Sequence, residues 1–339
     1  MAKKSITANY NHLELNNSEK HKKMSTFQTF FAIVKAYCAI NVLLLPTSFA
    51  NGGYLLSPMA MVLALFFETL CAVRLTSVAH QQKIYSYPLL MKKSIGDKGL
   101  WMARICLALA HWQFTIGQVT FTLKSLQSTI GAWVGQISPL WVFGVGIWLL
   151  YTPLVWVRKL EPFKYTYIFA VSMIVLGVVT TSVFAANEVQ ENNGEPGPDY
   201  VALNEDSYWG MVGFAFFMFE GIGNLIPIMR ETEKPERMPM ITASALVFLG
   251  ICYVAFSSLC YYTWGADLTE PVVTEMLPAD NRFVQAMKLL FCLNLVFSYP
   301  LSIVPAFNTL ESIVFGKKET SQEETCNSDT ESTQSERDY

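Results

Sequence analysis

Charge is scarce in this sequence: only 15% of its residues are Asp, Glu, Lys or Arg, where a soluble domain carries about 25%. The formal net charge is -3 and the basic residues form no extended cluster, so the surface that a phosphate backbone requires is missing and nucleic acid is excluded as a partner. Histidine is rarer still, with four in 339 residues. There is no cluster of metal ligands, no nucleophile elbow and no glycine loop for phosphate, which argues against an enzyme and against a bound metal or organic cofactor. The seven cysteines make no disulfide framework, because Cys38, Cys71, Cys106, Cys252, Cys260 and Cys292 lie in apolar stretches and Cys326 in a polar tail. The first 25 residues, with Lys20, Lys22 and Lys23, have neither the apolar core nor the cleavage site of a secretory signal. The first membrane segment is expected to act as an uncleaved signal.

Apolar residues fill the space that charge leaves, at 52% of the chain. A spanning helix needs about 20 of them in succession. Runs of that order cover residues 26 to 50, 55 to 78, 100 to 123, 140 to 157, 165 to 186, 208 to 229, 239 to 264 and 283 to 303. The fold class is therefore an all-α membrane protein with about eight transmembrane helices. Residues 26 to 315 form the transmembrane domain, between an N-terminal tail of residues 1 to 25 and a C-terminal tail of residues 316 to 339. The second tail is rich in Ser, Thr, Glu and Asp and is expected to be disordered.

Lysine and arginine follow the even-numbered spans: Lys83, Lys92, Lys93 and Lys98, then Arg158, Lys159 and Lys164, then Arg230, Lys234 and Arg237, then Lys317 and Lys318. The opposite loops hold few, and the connector between the fifth and sixth spans holds Glu188, Glu191, Glu195, Asp199, Glu205 and Asp206 with no basic residue. Cytoplasmic loops are the basic ones, so both termini are expected in the cytoplasm, Lys124 being an isolated exception. The sequon Asn16-Asn17-Ser18 then lies on the unmodified side.

An ionisable side chain at membrane depth needs a partner, a wet cavity or a function. The set here is Lys35, Glu68, Arg74, His111, Glu220 and Lys288. Arg74 can reach the headgroups along its own stem, Lys288 lies close enough to the outer face to do the same, and Glu68 and His111 read as structural. Glu220 differs, because it lies near mid-span and is followed by Gly221, Gly223 and Pro227. Glycine frees the backbone and proline removes a donor, so a broken helix with open carbonyls and amides is expected beside a buried carboxylate. The first span repeats the pattern more weakly, with Asn41 followed by Pro46. Interrupted helices in corresponding positions of two halves mark a transporter's midplane site, where exposed helix ends hold a carboxylate and an ammonium. Glycines at 221 and 223 also fit the plainer role of close helix packing. Thr115 and Gln118, polar groups one turn apart in the third span, are added as candidates to line such a site.

Phe216-Phe217-Met218-Phe219-Glu220-Gly221-Ile222-Gly223 with Pro227, then Glu231, Pro235 and Met238-Pro239, resembles the sixth span and following loop of the amino acid/auxin permease family. Val34-Lys35 through Leu45-Pro46, Tyr85-Ser86-Tyr87 through Ile95-Gly96, and Phe297-Ser298-Tyr299-Pro300 agree with its first span, first cytoplasmic loop and eighth span. The chain is most similar to the proton-coupled and vacuolar amino acid transporters of that family. The resemblance implies a five-plus-five inverted repeat, here with an incomplete second repeat lacking its last spans, and a substrate site on Ala39, Ile40, Asn41, Phe219, Glu220, Gly221, Ile222, Ser298 and Tyr299. It implies proton-coupled symport of small neutral amino acids, the proton being the coupling ion, in a vacuolar, lysosomal or plasma membrane. Glu220 would either titrate or hold the broken helix. The first span departs from the family in reading Ala36-Tyr37-Cys38-Ala39-Ile40-Asn41 where glycines are usual. A non-transporting amino-acid receptor or regulatory membrane protein, and a truncated transporter product, are the alternative expectations.

Overall fold

The computed structural model describes residues 23–38, 40–134, 139–156, 166–278 and 280–315. The C-terminal tail, most of the N-terminal tail and five of the cationic residues in the charge pattern (Arg158, Lys159, Lys164, Lys317 and Lys318) lie outside them. Eleven helices are found among the described residues: α1 (Thr26–Tyr37), α2 (Leu45–Gly52), α3 (Leu56–Gln82), α4 (Tyr87–Ile95), α5 (Asp97–Val134), α6 (Leu140–Trp156), α7 (Thr166–Glu191), α8 (Tyr208–Met218), α9 (Ile222–Arg230), α10 (Met238–Trp264) and α11 (Arg282–Phe315). The eight expected spans are all helical. The first is divided between α1 and α2, the sixth between α8 and α9, and α4 is a short helix in the loop after the second.

By length and hydropathy Leu56–Gln82, Ser172–Glu191, Tyr208–Arg230 and Pro235–Asp267 can each cross a membrane, and Leu140–Val155 is a shorter apolar helix. The helices of the third and eighth spans, at 38 and 34 residues, are also long enough to cross. At 1.5 Å per residue α5 extends about 57 Å, well past a hydrocarbon core of about 30 Å. Its C-terminal turns therefore stand clear of the bilayer, where Trp133 donates through its indole nitrogen to Gln285 at 2.8 Å.

Helix starts follow local chemistry. Ser25 and Gln28 make a capping box on α1, the Ser25 backbone N–H donating to the Gln28 side chain at 2.9 Å and the Gln28 N–H to the Ser25 hydroxyl at 3.4 Å. Pro46 falls in the first turn of α2, where its missing N–H costs nothing.

The helices sort into two packed groups. One joins α1, α2, α3, α8, α9 and α10, and the other joins α5, α6, α7 and α11; α7 packs on α10 between them, and the turn between α1 and α2 touches both α5 and α7. Successive spans alternate in direction, so the broken first and sixth spans run oppositely, as an inverted repeat requires. One end of the bundle gathers the basic loops and the other the acidic connector. The connector is clamped rather than loose: Tyr200 stacks on Tyr54 at 4.8 Å, the Tyr262 hydroxyl donates to the Gly194 carbonyl at 2.7 Å, and the Trp264 indole donates to Glu188 at 2.6 Å. Burial and the neighbouring phenols push Tyr200 above the ordinary tyrosine value. Gly265, at φ 51°, lets the end of α10 meet the Pro198 carbonyl, a left-handed position that favours glycine.

Candidate functional site

Both expected breaks are present. α1 stops at Tyr37 with the Cys38 N–H donating to the Val34 carbonyl at 2.7 Å, a 3₁₀ turn covers Ile40–Leu43, and α2 starts at Leu45. α8 stops at Met218, and α9 begins at Ile222 after Phe219, Glu220 and Gly221. Pro227 lies inside α9 rather than at the break, so the interruption comes from Glu220 and Gly221. Four helix ends thus meet at mid-membrane: the carbonyl ends of α1 and α8, and the N–H ends of α2 and α9. The macrodipoles make the first pair attractive to cations and the second to anions.

The two breaks touch. A Cβ on Gly221 would lie 2.8 Å from the Tyr37 ring, so the ring sits flat against bare backbone. Gly221 has φ -170°, which any residue adopts. It is the ring, not a left-handed turn, that demands glycine. Gly223 likewise lies close to Leu107 of α5, 2.7 Å from where a Cβ would be. Close packing and helix interruption therefore occur at the same glycines.

Three bonds fix this junction. The Tyr37 hydroxyl donates to Glu68 of α3 at 2.9 Å, and the Tyr253 hydroxyl of α10 donates to the Tyr37 carbonyl at 3.0 Å, occupying an acceptor freed by the helix end. The Glu220 N–H turns back to the Phe217 carbonyl at 3.1 Å. Phe219 is 1% exposed and its ring lies 5.9 Å from that of Tyr253.

The sequence candidates distribute unevenly around this junction. Phe219, Glu220, Gly221 and Ile222 form it directly. Asn41 is buried in the 3₁₀ turn, its carboxamide oxygen is unbonded, and it faces α5 at Gly117, 3.8 Å from where a Cβ would stand. That places it beside the stretch carrying Thr115 and Gln118. Thr115 is buried but its hydroxyl donates to the His111 carbonyl of its own helix at 2.8 Å. The Gln118 carbonyl accepts from Thr122 at 2.8 Å. Ile40 opens the 3₁₀ turn, and Ala39 lies outside the described residues. Ser298 and Tyr299 belong to α11, and Tyr299 stacks on Tyr151 of α6 at 4.0 Å in a separate apolar cluster with Val296. The structure does not bring Tyr299 to the Tyr37 junction.

Residues missed by sequence reasoning include Tyr37, Tyr253 and, in its actual role, Glu68, which is bonded at the break. Lys288 also departs from expectation. Instead of extending to the headgroups it is buried and paired at 2.8 Å with Glu275, which comes from the loop between α10 and α11 and accepts a further bond from Ser125 at 3.2 Å. A cleft of about 410 Å³ opens at the acidic end beside Glu188, Glu195 and Trp264. It belongs to the clamped connector and is remote in the fold from the helix breaks, whose chemistry makes them the stronger site.

Comparison with known proteins agrees with this architecture. Vacuolar amino acid transporter 4 of Saccharomyces cerevisiae is 27% identical over 307 residues, covering 86% of this chain and 41% of the relative. Vacuolar amino acid transporter 3 of Schizosaccharomyces pombe is 23% identical over 294 residues, covering 84% and 42%. Amino acid transporter AVT3B of Arabidopsis thaliana is 26% identical over 309 residues, covering 85% and 71%. The chain thus spans about two-fifths of the length of the yeast relatives it matches. The family model described as transmembrane amino acid transporter protein matches residues 22–336, so this chain, with its paired helix breaks, belongs to that family of membrane transporters, which are not enzymes.

Proposed function

We propose that this protein moves small neutral amino acids across a vacuolar membrane by proton-coupled symport, with both termini in the cytoplasm. The observation that carries the reading is the contact between two mid-membrane helix breaks at Tyr37 and Gly221. A zwitterion needs an acceptor set for its ammonium and a donor set for its carboxylate, within a few ångströms of each other. The carbonyl ends of α1 and α8 and the Asn41 oxygen supply the first, and the first turns of α2 and α9 supply the second. Phe219 and Ile222 are apolar walls against which a small side chain fits. Ala39, Ile40, Thr115, Gln118 and Ser298 complete the set of lining candidates, and Glu220 stands in the α8–α9 break as a proton acceptor. The names of the yeast relatives support the vacuole as the compartment.

Purified full-length chain in liposomes is expected to accumulate labelled neutral amino acids when the pH gradient is imposed. Protein that is folded by its elution profile and yet shows no uptake overturns the reading. Glu220→Gln is expected to lower gradient-driven uptake at least tenfold, about the effect of losing 1.4 kcal/mol. Uptake equal to wild type removes Glu220 from the mechanism.

A further inference from the structure

α1 and α9 are joined at both ends. At the basic end Met24 exchanges backbone bonds with the loop after α9, its N–H donating to the Glu231 carbonyl at 2.8 Å and its carbonyl accepting from the Glu233 N–H at 3.0 Å. The hydroxyls of Thr29 and Thr232 lie 3.2 Å apart beside them. At the midplane the Tyr37 ring covers Gly221. These two half-helices therefore form one block, whose inner end packs on Leu107 at Gly223 and is tied by hydrogen bonds through Tyr37: its carbonyl bonds to Tyr253, and its hydroxyl to Glu68.

The Glu68 bond is the unusual one. Glu68 lies near the middle of α3, out of reach of either headgroup layer. A glutamine accepts the same hydroxyl without the cost of placing a charge at that depth. The carboxyl can do what the amide cannot, which is gain and lose a proton. Tyr37 from α1 bonds to it directly, and Glu220 from the α8–α9 break and Tyr87 from α4 are titratable groups near enough to act on it through charge.

We propose that Glu68 is a positioning residue whose protonation releases the α1–α9 block. As a carboxylate it grips the Tyr37 hydroxyl through a charge-assisted bond and keeps the block closed. Once it takes a proton from water on the side to which the site is open, the bond becomes a neutral one and the block is free to swing. The proton returns to water on the other side, so no further reactant is consumed. This rests on the transport reading, because it supplies the step by which a proton couples to movement.

The test separates the two ideas. Spin labels are placed at Glu233→Cys and Lys93→Cys, on the block and on α4, in a chain whose seven native cysteines are replaced by serine. The distance between them is measured by pulsed electron resonance in nanodiscs from pH 5 to pH 9. Wild-type Glu68 is expected to give a ratio of open to closed populations about tenfold higher at the acid end, the change from a charge-assisted to a neutral bond. Glu68→Gln is expected to abolish that pH dependence, and Tyr37→Phe to favour the open population throughout. A pH response that survives in Glu68→Gln, or in Tyr37→Phe if the first variant does not fold, overturns the proposal. Liposome uptake is measured on the same wild-type protein: if it carries no amino acid, the transport reading fails, while the distances still decide the role of Glu68.

Discussion

At the level of single residues, Gly221 shows how two demands fall on one position. It interrupts the sixth span, and it leaves room for the Tyr37 ring at a separation that no Cβ tolerates. Gly221→Ala must displace the ring, whose hydroxyl is tied to Glu68 and whose residue is anchored at its backbone carbonyl by Tyr253. We expect a loss of about 1–3 kcal/mol, the usual cost of overpacking. Gly213→Ala, in α8 with nothing within 4 Å of the new methyl, should be neutral or slightly stabilising. Thermal unfolding of the two variants in detergent measures the contrast, and equal midpoints would remove Tyr37 as the reason for this glycine. The break itself was legible because a carboxylate and two glycines interrupt an otherwise apolar run. Its partner was not, because Tyr37 and Glu68 lie 31 positions apart: Glu68 stands out as an ionisable group at membrane depth, but nothing local pairs it with a tyrosine that looks ordinary among its neighbours. Asn41 was legible as a polar side chain with nowhere else to go, whereas the stacking of Tyr299 on Tyr151 depends on a helix crossing that no local pattern encodes.

Among the elements, hydrophobic run length located every span, and the departures have identifiable causes. α5 continues as far as Val134 because its polar extension is a good helix that packs along α11 outside the hydrocarbon. The loop between α10 and α11 shows no periodicity, yet it folds into short 3₁₀ turns that bury Val272, Val273 and Thr274 and deliver Glu275 to Lys288. That hidden partner is why Lys288 reads from sequence as a residue reaching for the headgroups. The pair's side chains are 5% and 8% exposed, so removing one member strands the other charge. Lys288→Met is expected to lower the unfolding free energy by about 3–5 kcal/mol, and combining it with Glu275→Leu should restore most of that, since a buried pair exchanged for apolar groups is often neutral. Chromatographic melting curves of the single and double variants test this. A double variant no better than the single one would show that the loop needs its charge for some other contact. The surface pair Lys124 with Glu270, at 3.4 Å and much more exposed, should contribute under about 1 kcal/mol.

Across the whole molecule, the two ends differ in charge in a way that individual loops only hint at. Lys83, Lys92, Lys93, Lys98, Arg230, Lys234 and Arg237 belong to connections at the end where Met24 meets Glu231. The acidic connector meets the other end, where the Tyr54 N–H donates to the Val201 carbonyl at 2.9 Å and the Gly197 N–H to the Tyr262 carbonyl at 2.8 Å. Because these bonds join loops distant in sequence, an individual helix cannot reverse without breaking them, and the charge asymmetry has to orient the bundle as a unit. The proposed orientation then makes one prediction for two labels. In sealed vesicles with the cytoplasmic face outward, a membrane-impermeant maleimide should modify the native Cys326 of the tail and spare a cysteine introduced by Glu195→Cys, which should react only after permeabilisation. The reverse pattern would invert the orientation. Reaction of both in sealed vesicles would place the tail and the connector on one side, which requires an even number of crossings between them and contradicts the three assigned to the sixth, seventh and eighth spans. The discriminating observation is therefore Glu195→Cys paired with a third label at Lys93→Cys. Three crossings separate the connector from that loop as well, so the proposed orientation has Lys93→Cys react together with Cys326 while Glu195→Cys stays protected.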